Sequence, residues 1–221
     1  MTSRLPTYAI SHGGGPWPWI KHLMPIDWTP LETALTSIPA ELDEIPRAIL
    51  VVTAHWEAPV FTVQGSPTPP MIYDYGGFPP ETYEIEYPAP GDPAIADRVV
   101  ELLRDAGLPH DRDDARGFDH GTFVPLYVMF PDANVPVVQL SILQSFDPAL
   151  HLAAGRALAP LRDEGVVIVS SGLPSYHDLS AMGQASEAPS RTFDEWLTET
   201  MVETAGEERS GRLLHWDSAP A

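Results

Sequence analysis

The chain has 221 residues and carries 12 Lys plus Arg against 31 Asp plus Glu, a formal net charge of −19. So few cations argue against duplex DNA, RNA or anionic lipid as partners, and 43% apolar residues are too many for an acidic disordered segment. Cysteine is absent, which removes disulfides, thiolate zinc sites, iron–sulfur clusters and cysteine nucleophiles together. Lys21 is the only lysine, which argues against an amine-based mechanism. The N-terminus lacks the apolar stretch of a signal peptide. No run approaches the roughly 18 apolar residues of a membrane span, so a cytoplasmic protein is expected.

In chain order, residues 6–11 (PTYAIS) read as a first strand running into the loop His12-Gly13-Gly14-Gly15-Pro16. A Gly/Pro/Trp-rich loop follows, and then a helix over 31–44 despite Pro39. Residues 47–53 (RAILVVT) form a continuous β-branched run that suits a buried central strand. It ends at Ala54-His55-Trp56-Glu57, and 60–64 is a further short strand. Residues 65–92 are crowded with Pro, Gly and Tyr and have no period. A loop of that length usually covers or builds a site.

Asp92-Pro93 opens a helix closed by Gly107, with Asp as N-cap and Pro at the first position. The acidic stretch 111–119 leads to Asp119-His120-Gly121, and 122–130 suits a short apolar helix. A strand at 135–142 precedes a second Asp-Pro cap at Asp147, whose helix runs to about Glu164. The strand 166–170 then leads into Ser171-Gly172 and, beyond it, Tyr176-His177. A final amphipathic helix is expected over 189–206. This alternation predicts one α/β domain, with helices on both faces of a central sheet.

Four of the eight histidines share a setting. His12 and His55 follow strands, His177 lies just past one, and His120 sits in a glycine-flanked turn. In α/β sheets, ligands bind in the crevice beyond the carboxyl ends of the strands. Histidines at several strand ends are what a metal cup needs, and neutral imidazole suits Fe(II) and Zn(II) alike. Each also has a plain structural reading as a loop histidine satisfied by backbone. His22, His110, His151 and His215 look ordinary. The chain has no phosphate-loop or dinucleotide fingerprint, no G-x-S-x-G elbow and no H-E-x-x-H. The rings of Trp17, Trp19, Trp28, Trp56, Tyr73, Tyr75, Tyr83 and Tyr87 could line an aromatic-substrate pocket or simply cover the sheet.

The ordered set Ser11-His12-Gly13-Gly14-Gly15-Pro16, Thr53-Ala54-His55-Trp56-Glu57, Asp119-His120-Gly121-Thr122 and Ser170-Ser171-Gly172 with Tyr176-His177-Asp178-Leu179 is specific. It resembles the class III (LigB-type) extradiol ring-cleavage dioxygenases, in the DOPA 4,5-dioxygenase-like branch. Tyr75-Gly76-Gly77-Phe78-Pro79 and the stretch from Tyr83 to Gly91 match that branch, so the likeness covers essentially the whole chain. The resemblance implies a non-haem Fe(II) enzyme that opens catechol-type rings with O2, with Zn(II) an alternative occupant of the purified protein. It implies His12 and His55 as metal ligands, His177 as a ligand or acid/base, and His120 as a second active-site histidine. It also implies a third ligand from a C-terminal segment that should follow Trp216-Asp217-Ser218-Ala219-Pro220, where this sequence stops. Glu57, Asp119 and His215 are candidate substitutes within the chain. Arg116, near His120, is a candidate partner for a substrate carboxylate.

Two other readings use the same residues: zinc-assisted hydrolysis at the same site, or a non-catalytic binding protein with an incomplete metal shell. The expected partners are a small aromatic diol and O2. A homo-oligomer stays open, since surface acidity opposes self-association only mildly.

Overall fold

Strand pairing sets the frame. In the computed structural model, which describes residues 4–172 and 184–220, six strands form one sheet in the order β1-β6-β2-β5-β3-β4. They are β1 (Thr7–Ser11), β2 (Ala48–Ala58), β3 (Phe61–Gln64), β4 (His110–Asp113), β5 (Val137–Leu143) and β6 (Val166–Gly172). Neighbours run parallel except β3 and β5, which meet antiparallel at Val63 and Leu140. The helices are α1 (Trp17–Ile20), α2 (Thr29–Ser37), α3 (Pro93–Asp105), α4 (His120–Met129), α5 (Pro148–Leu158), α6 (Gln184–Thr198) and α7 (Gly206–Leu214).

Because side chains alternate across a strand, the β-branched run of β2 feeds two cores. Ile49 and Val51 join Ile10, Val137, Val167 and Val169 on the face covered by α1, α2 and α4. Ala48 and Leu50 join Val138, Leu140 and Val166 on the face covered by α3 and α5. The result is a single α/β domain with helices on both faces, as the alternation of elements predicts. Both Asp-Pro signals cap as expected. Asp92 accepts from the N–H groups of Ala94 and Ile95 at 3.0 Å each, and Asp147 accepts from those of Ala149 and Leu150 at 2.8 and 3.2 Å.

Several boundaries differ from the expectation. β2 runs on through His55 to Ala58 instead of stopping at Thr53. Helix α2 ends at Ser37, and a 3-10 turn at Ile38–Glu41 takes over, because the ring of Pro39 cannot continue the α-helical hydrogen bonds. His120 is the first residue of α4, not a turn residue. The polar tetrapeptide at 110–113 forms the edge strand β4. The helix expected over 189–206 is α6, which begins at Gln184 and passes into a π-helical turn at Glu199–Glu203, and α7 is a further helix beyond it. Among the described residues, no helix is long and apolar enough to cross a membrane.

Candidate metal centre

The ends of β1 and β6 lie level with Thr53, inside β2. Ser11 of β1 pairs with Gly172 of β6, and Thr53 of β2 pairs with Ser171. His12 extends the first ladder by one bond, its N–H donating to the Gly172 carbonyl at 3.1 Å. On the other side of β2 the register with β5 breaks between Val52 and Glu57, so that Leu140 pairs with Val52 but Ile142 with Glu57. Such a bulge re-aims the side chains within it, and Thr53 and His55 lie inside this one. The N-terminus of α4 completes the group by bringing in His120.

His12, His55 and His120 each offer a ring nitrogen to one cluster, with those atoms within 4.8 Å of one another. Their ring centroids lie 4.8 Å apart for His12 and His55, 3.9 Å for His55 and His120, and 5.2 Å for His12 and His120. His12 and His120 are buried, whereas the His55 side chain keeps 33% exposure, so the cluster opens on the His55 side. Gly121 makes the close approach possible. A Cβ there would lie 2.8 Å from Thr53 Oγ1 and 2.9 Å from His55 Cδ2. Gly13 has φ +77°, in the left-handed region that favours glycine, and any side chain there would strike Trp17. The Trp17 indole N–H in turn donates to the His12 carbonyl at 2.8 Å, fixing the loop that carries His12.

Hydrogen bonding sets the lone pairs. Ser171 Oγ donates to the Gly121 carbonyl, which leaves it to accept from His12 Nδ1–H at 3.1 Å. His120 Nδ1–H donates to Asp74 Oδ1 at 2.8 Å, and the same oxygen accepts the His120 backbone N–H at 3.0 Å. In its neutral form each of these two rings therefore carries its lone pair on Nε2. Burial, followed by the charges of His55 and His120, lowers the His12 pKa to about 3, so its ring is neutral at ordinary pH. Burial and His120 lower that of His55 as well. Burial works against ionisation of Asp74, but the hydrogen bonds from His120 outweigh it and hold the carboxyl below its usual range.

The donor set fits a divalent metal ion. His12 Nε2 and His55 Nε2 are 3.0 Å apart, a separation reached by two nitrogens about 2.1 Å from one ion at roughly a right angle. Neutral imidazoles with no thiolate suit iron and zinc equally. The cluster is capable of chelating a divalent ion, and nothing in its geometry chooses between the two.

The other expected residues are placed as follows. His177 lies outside the described residues. Among the described residues, Glu57, Asp119 and His215 are not part of the cluster. Asp119 is fully buried and engaged, accepting from Thr53 Oγ1 at 2.8 Å, the Thr122 N–H at 3.1 Å and Arg116 at 2.9 Å. Arg116 lies over the Trp56 ring at 4.8 Å from its centroid. His151 is a packing residue, its ring bonded to the Asp147 carbonyl and the Leu143 N–H. Trp17 and Tyr87 are core residues, whereas Tyr75 stands edge-on to His120 at 5.8 Å and touches Tyr73, Phe78, Tyr83 and Phe123. Asp74 is the functional candidate that sequence reasoning missed.

Comparison with known proteins agrees with this geometry. Residues 26–218 match the family described as the catalytic LigB subunit of aromatic ring-opening dioxygenase. The chain is 46% identical over 193 residues to the dioxygenase tasH of Hapsidospora irregularis, covering 84% of this chain and 59% of that protein. It is 40% identical over 200 residues to the 4,5-DOPA dioxygenase extradiol of Escherichia coli, covering 89% and 70%, and 41% identical over 167 residues to that of Beta vulgaris, covering 74% and 62%. The crystal structure of an Escherichia coli K12 protein superposes with a TM-score of 0.68 at 34% identity, covering 86% of this chain and 73% of that one. The chain thus spans about six to seven tenths of the length of these relatives. Matched by the family model over residues 26–218 and 40–46% identical to these dioxygenases, this chain belongs to the LigB-type extradiol dioxygenases, in their DOPA 4,5-dioxygenase-like branch.

Proposed function

We propose that the protein cleaves a catechol-type ring next to its diol with O2, using Fe(II) held by His12 and His55, with Zn(II) an inactive substitute. The observation that carries this reading is the convergence of three imidazoles from three separate elements, beneath a wall of tyrosine rings. Bound Fe(II) would supply a Lewis acid for paired phenolic oxygens and an electron path to O2. Zinc lacks that redox chemistry.

The chain's own residues account for the rest. His12, just past β1, and His55, on β2, present Nε2 lone pairs from the two strands that flank β6, and the half-exposed edge of His55 leaves room for substrate and O2. His120 has its Nδ1 proton engaged by Asp74, so its Nε2 is free to take a phenolic proton and return it later, as a general base and acid. His177 is the second candidate for that proton work or for a further ligand. Tyr73, Tyr75 and Phe123 offer apolar faces to an aromatic substrate and help to exclude water. Burial raises the pKa of both tyrosines, so they pack as neutral rings.

The test is anaerobic reconstitution of this chain with Fe(II), then oxygen uptake on a panel of simple, carboxylated and amino-acid catechols. Zinc-loaded protein and His55→Ala serve as controls. Iron-dependent uptake with a ring-opened product, absent from both controls, is the expected result. Stoichiometric iron binding without uptake on any diol would overturn the reading.

A further inference from the structure

We propose that Asp74 is a positioning residue that sets the tautomers of His120 and His55 together, and so leaves the His55 Nε2 lone pair for the ion and that of His120 for the substrate proton. This inference rests on reading the cluster as a metal centre. Asp74 comes from the long 65–92 loop, not from any element that carries a histidine. Its Oδ1 accepts two hydrogen bonds, from the backbone N–H and the Nδ1–H of His120. Its Oδ2 lies 3.6 Å from His55 Nδ1, at ion-pair range. An ionised carboxylate can only accept, so its second oxygen favours a proton on His55 Nδ1 and a bare Nε2. That Nε2 is the atom 3.0 Å from His12 Nε2.

The carboxylate is held in turn by its neighbours in the chain. Tyr73 donates its hydroxyl to the Ile85 carbonyl at 2.7 Å, and Tyr75 to the Thr82 carbonyl at 2.5 Å. Asp74 is therefore fixed between two anchored rings, and one loop positions both the aromatic wall and the tautomers of the histidines below it. Carboxylates that orient ligand imidazoles in this way typically account for about 10–100-fold in metal affinity.

Asp74→Asn gives an asymmetric test. The His120 backbone N–H can only donate, so the amide must keep its oxygen there and turn its NH2 toward His55 Nδ1. That nitrogen then becomes an acceptor and its proton moves to Nε2. In imidazole 15N spectra of the metal-free protein, His120 should keep its Nδ1 proton while His55 switches to the Nε2-protonated form. Affinity for Co(II), an air-stable stand-in for iron, should fall about 10–100-fold. An unchanged His55 tautomer, or Co(II) affinity within twofold of the unsubstituted chain, overturns the proposal. Asp74→Ala provides the second variant: both rings should lose their fixed Nδ1 proton, and a His120 that keeps it would equally overturn the proposal. Failure of the unsubstituted chain to bind Co(II) would remove the metal reading, while the spectra would still decide the role of Asp74.

Discussion

Gly121 is a residue whose value lies in what it omits. As the second residue of α4 it would gain about 1 kcal/mol of helix propensity on substitution by alanine. Against that, the new Cβ would lie 2.8 Å from Thr53 Oγ1, 2.9 Å from His55 Cδ2 and 3.3 Å from Asp119 Oδ1. Overpacking of this kind costs typically about 1–3 kcal/mol, and here the groups that must yield are a strand residue and a ligand ring. Gly121→Ala should therefore destabilise the fold modestly while weakening metal binding by about tenfold or more. Urea unfolding and a metal titration on the same sample measure the two effects, and a more stable variant with unchanged affinity would contradict the steric argument. His12, His55 and His120 were legible because each adjoins a strong strand or glycine signal. Asp74 was not, because its partner is 46 residues away and its loop has no period to say where a side chain points.

At the scale of elements, α4 is locked to β2 through one carboxylate. Asp119 caps the helix through the Thr122 N–H, ties Thr53 of the bulge, and neutralises Arg116. Its side chain is fully buried and that of Arg116 is 19% exposed. Removing one partner of a buried pair costs about 3–5 kcal/mol, and the remaining water contact of Arg116 favours the lower end. Asp119→Ala should cost about 3 kcal/mol in chemical denaturation, and Asp119→Asn, which keeps a capping oxygen, should cost less. Equal losses in the two variants would show that the cap oxygen contributes nothing. The buried strands β2, β5 and β6 could be read from their β-branched runs, since a strand covered on both faces must be apolar throughout. Strand β4 could not. Its sequence His110-Asp111-Arg112-Asp113 survives at the sheet edge because Arg112 bridges Asp97 and Asp114, contacts that no local pattern announces. The length of β2 past Thr53 was hidden for a related reason, because its apolar run stops where the bulge turns Thr53 and His55 toward the site.

Across the whole molecule, the histidines tie together parts of the chain that unfolding would separate. His12 extends β1, His55 belongs to β2, and His120 opens α4 after more than half the sequence has passed. An ion that binds only the folded arrangement stabilises it by about 2.7 kcal/mol when its free concentration is 100 times its dissociation constant. For a chain of this size that corresponds to about 5–10 °C in the melting temperature. The chain also carries a formal charge of −19, so any divalent cation could stabilise it somewhat by screening surface repulsion. The two effects separate by ligand chemistry, because Mg2+ prefers oxygen ligands and binds imidazole poorly. Co(II) or Zn(II) should raise the melting temperature well beyond an equal concentration of Mg2+, and chelation should reverse the gain. In His12→Ala the Co(II) curve should fall onto the Mg2+ curve, since one of the two nitrogens 3.0 Å apart is gone. A gain that survives this substitution would mean that the acidic surface, and not the imidazole cluster, takes up the ion.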